Sequence, residues 1–78
     1  MKATVLVRPK EGILDPQGDA VGASLRTLGF GISDARVGRL VEVDVEAGTV
    51  EEARAQVDEM CKRLLANPLI ESYEITFP

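Results

Sequence analysis

The residues able to do acid–base or nucleophilic chemistry are few in this chain of 78 residues. The chain has one cysteine, Cys61, and no histidine, so it can form neither a Cys-His nor a Ser-His pair and offers no imidazole to a zinc ion. Adjacent carboxylates such as Glu51 and Glu52 diverge around a helix and cannot share a proton. Catalysis by this chain alone would have to depend on scattered carboxylates, lysine or the thiol, and no recognisable active site is present.

The single thiol lies beside the apolar side of a predicted helix, close to Lys62 and Arg63. These cations would favour a thiolate if the sulfur were exposed. Free cysteine is, however, among the most frequently buried residue types. We therefore interpret Cys61 as a half-buried structural thiol.

A stretch rich in proline and glycine, from Arg8 to Gly18, joins the first apolar run to the first helical pattern. Pro9 and Pro16 each fix φ, whereas Gly12 and Gly18 leave the backbone free to bend. The stretch therefore predicts a stiff, shaped surface loop.

The end of this loop also starts a helix, because Asp15 can act as the N-cap and Pro16 suits the first helical position. A carboxylate at this point uses the N–H groups that a bound phosphate would need. The loop also lacks the Walker and Gly-x-Gly-x-x-Gly patterns. Lys10 is left as a lone cation, either a solvated loop lysine or a functional group.

Hydrophobic periodicity predicts five elements in the order β-α-β-α-β. Strand 1 covers residues 2–8, helix 1 runs from about 16 to 28, helix 2 runs from 50 to 66, and strand 3 covers 70–77. Helix 2 begins at a capping box formed by Thr49, its N-cap, and Glu52. Asn67-Pro68 ends it.

Residues 32–47 have a strand pattern that changes at Gly38-Arg39. A bulge or bend there would give one long bent strand, and a tight turn there would give two strands. We favour the single bent strand because no Asn-Gly or Asp-Gly hairpin turn is present. In helix 1, Gly18 and Gly22 indicate close approach, either of the helix to the sheet or of a partner or ligand.

These elements predict a single α+β domain over residues 1–78. We expect a small three-stranded antiparallel sheet with a long bent middle strand and two helices on one face, a relative of the ferredoxin-like fold. The uncovered face would carry Leu6, Leu40 and Ile70. With its free edges, that face predicts a homo-oligomer formed through the sheet.

Composition narrows the class of protein further. The formal net charge is -4, with lysine and arginine scattered, so we expect no nucleic-acid partner. No secretory segment and no apolar run long enough to span a bilayer is present, which predicts a cytoplasmic protein without a membrane partner.

Several segments, in their order along the chain, resemble one known family. They are Pro9-Lys10-x-Gly12-x-Leu14-Asp15-Pro16-Gln17-Gly18-x-Ala20-Val21, Leu28-Gly29-Phe30, Arg36-x-Gly38-Arg39, and Met60-Cys61-x-x-Leu64-Leu65-Ala66-Asn67-Pro68-x-Ile70-Glu71. Together they resemble PurS, the small subunit of phosphoribosylformylglycinamidine synthase, over essentially the whole chain.

The resemblance implies a role in de novo purine synthesis, as a subunit of a carbon–nitrogen ligase that converts an amide to an amidine using ATP and glutamine. The implied partners are a glutaminase subunit and a large synthetase subunit that binds ATP and Mg²⁺. The implied state of this chain is a homodimer or homotetramer that has no cofactor or metal of its own and brings the other two subunits together.

From this we expect the loop and the bend to contact a partner subunit and to help form or shield a path for ammonia. The residues expected at that contact are Pro9, Lys10, Gly12, Asp15, Gln17, Gly18, Gly38 and Arg39. The alternative is a small-molecule sensor, since ACT-type regulatory domains hold a ligand between strand 1 and helix 1.

Overall fold

The computed structural model describes residues 1–78, and its element order is the predicted one. The strands are β1 (Lys2–Pro9), β2 (Arg39–Asp44) and β3 (Glu71–Thr76), and the helices are α1 (Pro16–Thr27) and α2 (Val50–Met60), which continues as a π-helical turn over Cys61–Leu65. The α+β class and the three-stranded antiparallel sheet are confirmed.

The strand β1 lies in the middle of the sheet, between β2 and β3, and is antiparallel to both. Val5 stands opposite Val41 on one side and Ile75 on the other. Because side chains alternate along a strand, Val5 and Val7 face α2, where they pack with Val57 in the core.

The core is small: 10 of 78 residues are buried, and 8 of them are the hydrophobic residues that form it. Its largest fully buried side chains are Val5, Val7, Val57 and Cys61, and the two Phe and one Tyr are only partly covered or exposed. Each fully buried valine stabilises the fold by about 1.5 to 3 kcal/mol. The total from so small a core only slightly exceeds the cost of the chain's conformational entropy.

The helix α1 departs from the prediction that both helices cover one face of the sheet. Only Gly18 and Gly22 are buried in it, and none of its side chains belongs to the core. Instead, α1 packs against segment 32–37, which has no regular secondary structure, with Gly22 facing the Ala35 side chain. The helix and this segment form an arm (residues 16–37), and the molecule is elongated, about 50 × 25 × 14 Å.

The strand β2, the second in the sequence, pairs over fewer residues than predicted. Regular ladder pairing covers Arg39–Asp44, whereas residues 32–38 have no regular secondary structure and lie outside the sheet. Two of their carbonyl groups accept hydrogen bonds from α1, because Arg26 donates from Nε to the Ile32 carbonyl and from Nη2 to the Ser33 carbonyl. The Arg26 side chain thus holds this segment against α1.

The bend at Gly38 brings the backbone very close to β1. A Cβ atom at this position would collide with the Val7 carbonyl oxygen. Gly38 is therefore needed here for its small size.

We predict that Gly38→Ala lowers the free energy of unfolding by about 1 to 3 kcal/mol, as overpacking typically does. Gly31→Ala is the matched control, because a Cβ there has open space; it is expected to be neutral or to stabilise by up to about 1 kcal/mol. Urea denaturation of the two variants measures the difference, and equal stabilities would contradict the close approach at Gly38.

Candidate functional site

The loop, the bend and the turn before β3 meet at one end of the molecule. We name this region the junction and define it as residues 9–18, 36–39 and 67–71. It contains every residue that the sequence predicts at a partner contact. A cleft of about 280 Å³ lies there, with its walls formed by residues of all three segments.

The Asp15 carboxylate holds two of these segments together. Its Oδ1 accepts a hydrogen bond from the Gly18 N–H at 3.0 Å, which places Asp15 at the N-cap of α1. Its Oδ2 accepts from the Val37 N–H at 2.9 Å and lies 3.7 Å from Arg36 Nε. The side chain is only 10% exposed. The Val37 and Gly18 N–H groups, with the Arg36 charge, hold the pKa of Asp15 below its usual value of 3.8.

Hydrogen bonds fix the start of the loop to the other two segments of the junction. Arg36 Nη2 donates to the carbonyl oxygens of Pro9 and Lys10 at 3.2 and 2.9 Å. The Lys10 N–H donates to the Ile70 carbonyl at 2.9 Å, and its Nζ donates to the Pro68 carbonyl at 2.7 Å. Lys10 is therefore a structural donor in this arrangement and not a free cation.

Glycine is required at the two loop positions, Gly12 and Gly18, for different local reasons. Gly12 adopts φ +80°, a left-handed conformation that favours glycine, in a turn closed by the Ile13 N–H on the Lys10 carbonyl. At Gly18 a Cβ would collide with the Ala35 carbonyl oxygen and with the Asp15 carboxylate. Close approach of helix to backbone therefore explains Gly18, although the approach is to segment 32–37 and not to the sheet.

Arg39 ties the bend to the turn before β3. Its guanidinium pairs with both Glu71 oxygens, at 2.7 and 3.0 Å, and also donates to the Leu65 carbonyl. Glu71 Oε1 accepts in addition from the Asn67 N–H at 2.7 Å. The two-pronged hydrogen bond with Arg39, followed by the Asn67 N–H, lowers the pKa of Glu71. The end of α2 and the starts of β2 and β3 are fixed together.

Every charged group of the junction except the exposed Glu11 has a partner within the chain, and the junction also exposes large apolar side chains. Leu14 is 87% exposed and Leu69 is 83% exposed. Ile70, next to Leu69, is also exposed, and Gln17 is exposed without a hydrogen bond of its side chain. Exposed leucines on a rigid frame are typical of a protein contact.

The thiol is less accessible than the sequence indicates. Cys61 is fully buried in the core, and burial, with a smaller effect of the Asp58 charge, raises the pKa of its thiol. The predicted structural role fits this position, and a reactive thiolate does not. No group of three or more histidine, cysteine or carboxylate side chains is placed to hold a metal ion.

A second polar group lies between α2 and β3, away from the junction. The Tyr73 hydroxyl donates to Asp58 Oδ1 at 2.6 Å, and Lys62 Nζ lies 3.0 Å from Asp58 Oδ2. This hydrogen bond raises the pKa of Tyr73 to about 12, and it lowers the pKa of Asp58, with Lys62 adding to the effect. The pair fastens β3 to the helix that covers it.

Sequence reasoning missed several members of the junction. Arg36, Glu71 and Asn67 are distant in sequence from the groups they bind, so their roles depend on the tertiary fold. Leu14 and Leu69 could have been found, since each is a large apolar residue in a polar loop or turn, where burial within the chain is not expected.

What the fold and the junction define is a small α+β module with a rigid hydrogen-bonded surface that exposes leucines. The family model of PurS, phosphoribosylformylglycinamidine (FGAM) synthase, matches residues 2–78. The chain therefore belongs to the PurS family of FGAM synthase subunits.

Individual relatives agree over almost their whole length. The PurS subunit of phosphoribosylformylglycinamidine synthase from Archaeoglobus fulgidus is 41% identical over 78 residues, which is 99% of this chain and 98% of that protein. The crystal structure of Methanocaldococcus jannaschii PurS is similar with a TM-score of 0.84 and 38% identity, covering 96% of this chain and 92% of that one. A chain of PurLQS from Thermotoga maritima gives a TM-score of 0.88 at 32% identity, covering 96% and 93%.

The first prediction from the site concerns how the contribution of Asp15 to stability depends on pH. We expect Asp15→Asn to lower the free energy of unfolding at neutral pH, because the charged acceptor of the Val37 N–H is lost. The folded-state pKa of Asp15 is lowered, so its contribution is present above the unfolded value and is lost as the pH falls through the folded value. The gap to wild type should therefore narrow as the pH falls below 3.8.

Denaturant titrations at a series of pH values measure that gap. Asp19→Asn is the control, since Asp19 is an exposed carboxylate in the first turn of the same helix. A gap that is constant with pH, or equal for both variants, would contradict the role assigned to the Asp15 charge.

The second prediction uses the single tyrosine of a chain that has no tryptophan. Its tyrosinate absorbance should appear with a midpoint near pH 12. The raised pKa means that the stability Tyr73 contributes is present below its unfolded value and is lost as the pH rises through the folded one. Asp58→Asn should move the midpoint down toward 10, whereas Glu59→Gln, the neighbouring control, should move it much less. An unchanged midpoint in Asp58→Asn would show that the hydrogen bond is absent.

Proposed function

We propose that this chain is the non-catalytic assembly subunit of an ATP- and glutamine-dependent phosphoribosylformylglycinamidine synthase. In this proposal it binds a glutaminase subunit and a synthetase subunit at once and supports the transfer of ammonia between them. The observation that carries it is the junction, where every charged group except the exposed Glu11 has a partner within the chain and where Leu14 and Leu69 are exposed. Such a surface suits binding a protein better than binding a polar substrate.

The cofactors belong to the partner in this proposal. ATP and Mg²⁺ are bound by the synthetase subunit, and this chain supplies no ligand to either. The family membership supports this division of labour, since the relatives are described as subunits of one synthase. We also propose a cytoplasmic location, where ATP and glutamine are available; no helix of the chain has the length and apolarity needed to cross a membrane.

A homo-oligomer, a dimer or a tetramer, is part of the same proposal. The small core and the exposed apolar residues of α1 support it, because a chain of this size buries about 60% of its unfolded surface and gains stability from association. The sequence-based expectation placed this contact on the open face of the sheet. That face is mostly polar, with Leu6 half-buried and Leu40 55% exposed beside charged neighbours.

At the junction, an apolar contact should be insensitive to salt, unlike one built on exposed ion pairs. Leu14 and Leu69 would enter pockets on a partner subunit, and Lys10, Asp15 and Arg39 would act by keeping the surface rigid. A rigid surface loses little entropy on binding. The junction would then close one side of the ammonia path.

The test is turnover of the complex reconstituted from its three subunits. Leu14→Ser should lower the glutamine-dependent rate about tenfold or more at a fixed subunit concentration, because one leucine contributes about 1.5 to 3 kcal/mol when buried. The ammonia-dependent rate should stay unchanged, because the synthetase performs the ligation. Lys10→Met, which removes the donor to the Pro68 carbonyl, should act in the same direction.

Leu64→Ser is the matched control, since Leu64 is 83% exposed but lies on the π-helical turn outside the junction. The proposal fails if the Leu14 and Lys10 variants both support full glutamine-dependent turnover within an intact complex.

A further inference from the structure

The outer edge of β3 is a row of backbone groups that the sheet does not use. The Lys10 N–H donates to the Ile70 carbonyl, and hydrogen-bonded pairs alternate with non-bonded pairs along an antiparallel ladder. Every second residue of β3, counted from Ile70, therefore bonds to β1. Tyr73 and Ile75 are the residues between, so their N–H and C=O groups face outward. Such an edge is a template for a further strand.

Arg54, on α2, covers part of this edge. Its Nη1 donates to the Ile75 carbonyl at 3.4 Å, which is longer than most N–H···O hydrogen bonds. Its guanidinium also lies 5.2 Å from the centre of the Phe77 ring, in a cation–π contact. An added strand can replace so weak a hydrogen bond with one of its own N–H groups.

A groove of about 470 Å³ runs between α2 and this edge. We name it the α2–β3 groove; its lining residues are Glu51, Arg54, Ala55, Asp58, Tyr73 and Ile75. The side chains of Tyr73 and Ile75 are half-buried on the face that α2 covers, and Ala55 is exposed above them. Residues opposite Tyr73 and Ile75 in an added strand would direct their side chains to the same face. The small Ala55 leaves space for them.

Two charged groups of the groove remain for an occupant. The carboxylate of Asp58 is already used by the Tyr73 hydroxyl and by Lys62. Arg54 and Glu51 form no ion pair within the chain. A complementary segment therefore carries one carboxylate and one cation, beside apolar residues at alternate positions.

The groove and the junction are separate surfaces. The strand β3 starts at Glu71, inside the junction, and its outer edge leads away from there along Tyr73 and Ile75. A chain that binds two subunits at once needs two surfaces that do not overlap. The junction supplies one of them, and the edge of β3 supplies a second.

We propose that the outer edge of β3 binds an extended segment of a partner subunit by strand addition. The segment pairs its backbone with Tyr73 and Ile75 and places apolar side chains in the α2–β3 groove. It supplies a carboxylate to Arg54, which its N–H has displaced from the Ile75 carbonyl, and a cation to Glu51. In this mode of recognition the main-chain hydrogen bonds give affinity and the alternate side chains give specificity.

A second copy of this chain fits this edge less well than a segment of another protein. Two β3 strands paired antiparallel about a two-fold axis would carry both α2 helices on the same face of the joined sheet. Each α2 reaches over its own edge, as the contact of Arg54 with the Ile75 carbonyl shows. The two helices would therefore compete for the space of one groove.

This inference rests on the proposed function, and amide hydrogen exchange separates the two. Exchange is measured by mass spectrometry on this chain alone and in the complex reconstituted from its three subunits. We expect the Tyr73 and Ile75 amides to exchange fast in the chain alone and at least about a hundredfold more slowly in the complex. Fast exchange within an intact complex overturns strand addition and leaves the proposed function standing. Protection already present in the chain alone means that a second copy covers the edge, which also overturns it. Failure of the three proteins to assemble overturns both.

Substitutions in the groove give a second test, by titration of each variant into the two partner subunits with glutamine-dependent turnover as the readout. Ala55→Lys fills the groove without touching the core, because Ala55 is exposed, and it should raise the half-saturating concentration about tenfold or more. Gln56→Lys is the matched control, since it adds the same side chain on the next, exposed position outside the groove; it should leave that concentration unchanged. Arg54→Glu should act like Ala55→Lys, because it repels the carboxylate of the segment. Wild-type titration curves for both the Ala55 and the Arg54 variants would contradict the proposal.

Discussion

The Asp15 carboxylate is the interaction on which the rest of this structure depends. One of its oxygens starts α1 and the other fixes the Val37 N–H, so the direction of the helix and the path of the chain into β2 are set by one side chain. Arg36, drawn to the same carboxylate, also holds the carbonyls of the loop. The loop, the helix and the bend thus form a single rigid body.

That rigidity explains how so small a core supports an ordered surface. The side chains of the core are those of valines, alanines and one cysteine on β1, α2 and their neighbours, and they do not extend to the junction. Order at the junction comes from hydrogen bonds to charged groups, namely Asp15, Arg36, Arg39 and Glu71. Such bonds are shorter and stronger than neutral ones, and the leucines are among the exposed groups that remain free to bind.

Much of the fold could be predicted from local patterns. The alternation in β1 and β3, the capping residues of the two helices and the proline before the last strand all act within a few residues, where sequence and structure are closely linked. The helix cap by Asp15 follows from a spacing of 3 residues, whereas its bond to Val37 spans 22. The pair of Arg39 with Glu71 spans 32. Contacts of that range depend on how elements pack, which periodicity does not specify.

The position of α1 is a second feature that periodicity does not specify. The spacing of Val21, Leu25 and Leu28 indicates that one side of the helix must be buried, and a single chain with two helices and one sheet makes its own sheet the natural partner. In the structure, however, no side chain of α1 belongs to the core on that sheet. Periodicity predicts that a face is buried but not which molecule buries it, and for a subunit of a larger enzyme the second question is the one that bears on function.

The central claim, that this chain assembles a synthase and does not catalyse, is tested most directly by size-exclusion chromatography with the glutaminase and synthetase subunits, ATP and glutamine present. The account predicts that the three proteins elute together, that the two larger subunits elute separately when this chain is omitted, and that Leu14→Ser has the effect of omission. Elution of the two larger subunits as one complex without this chain would contradict it.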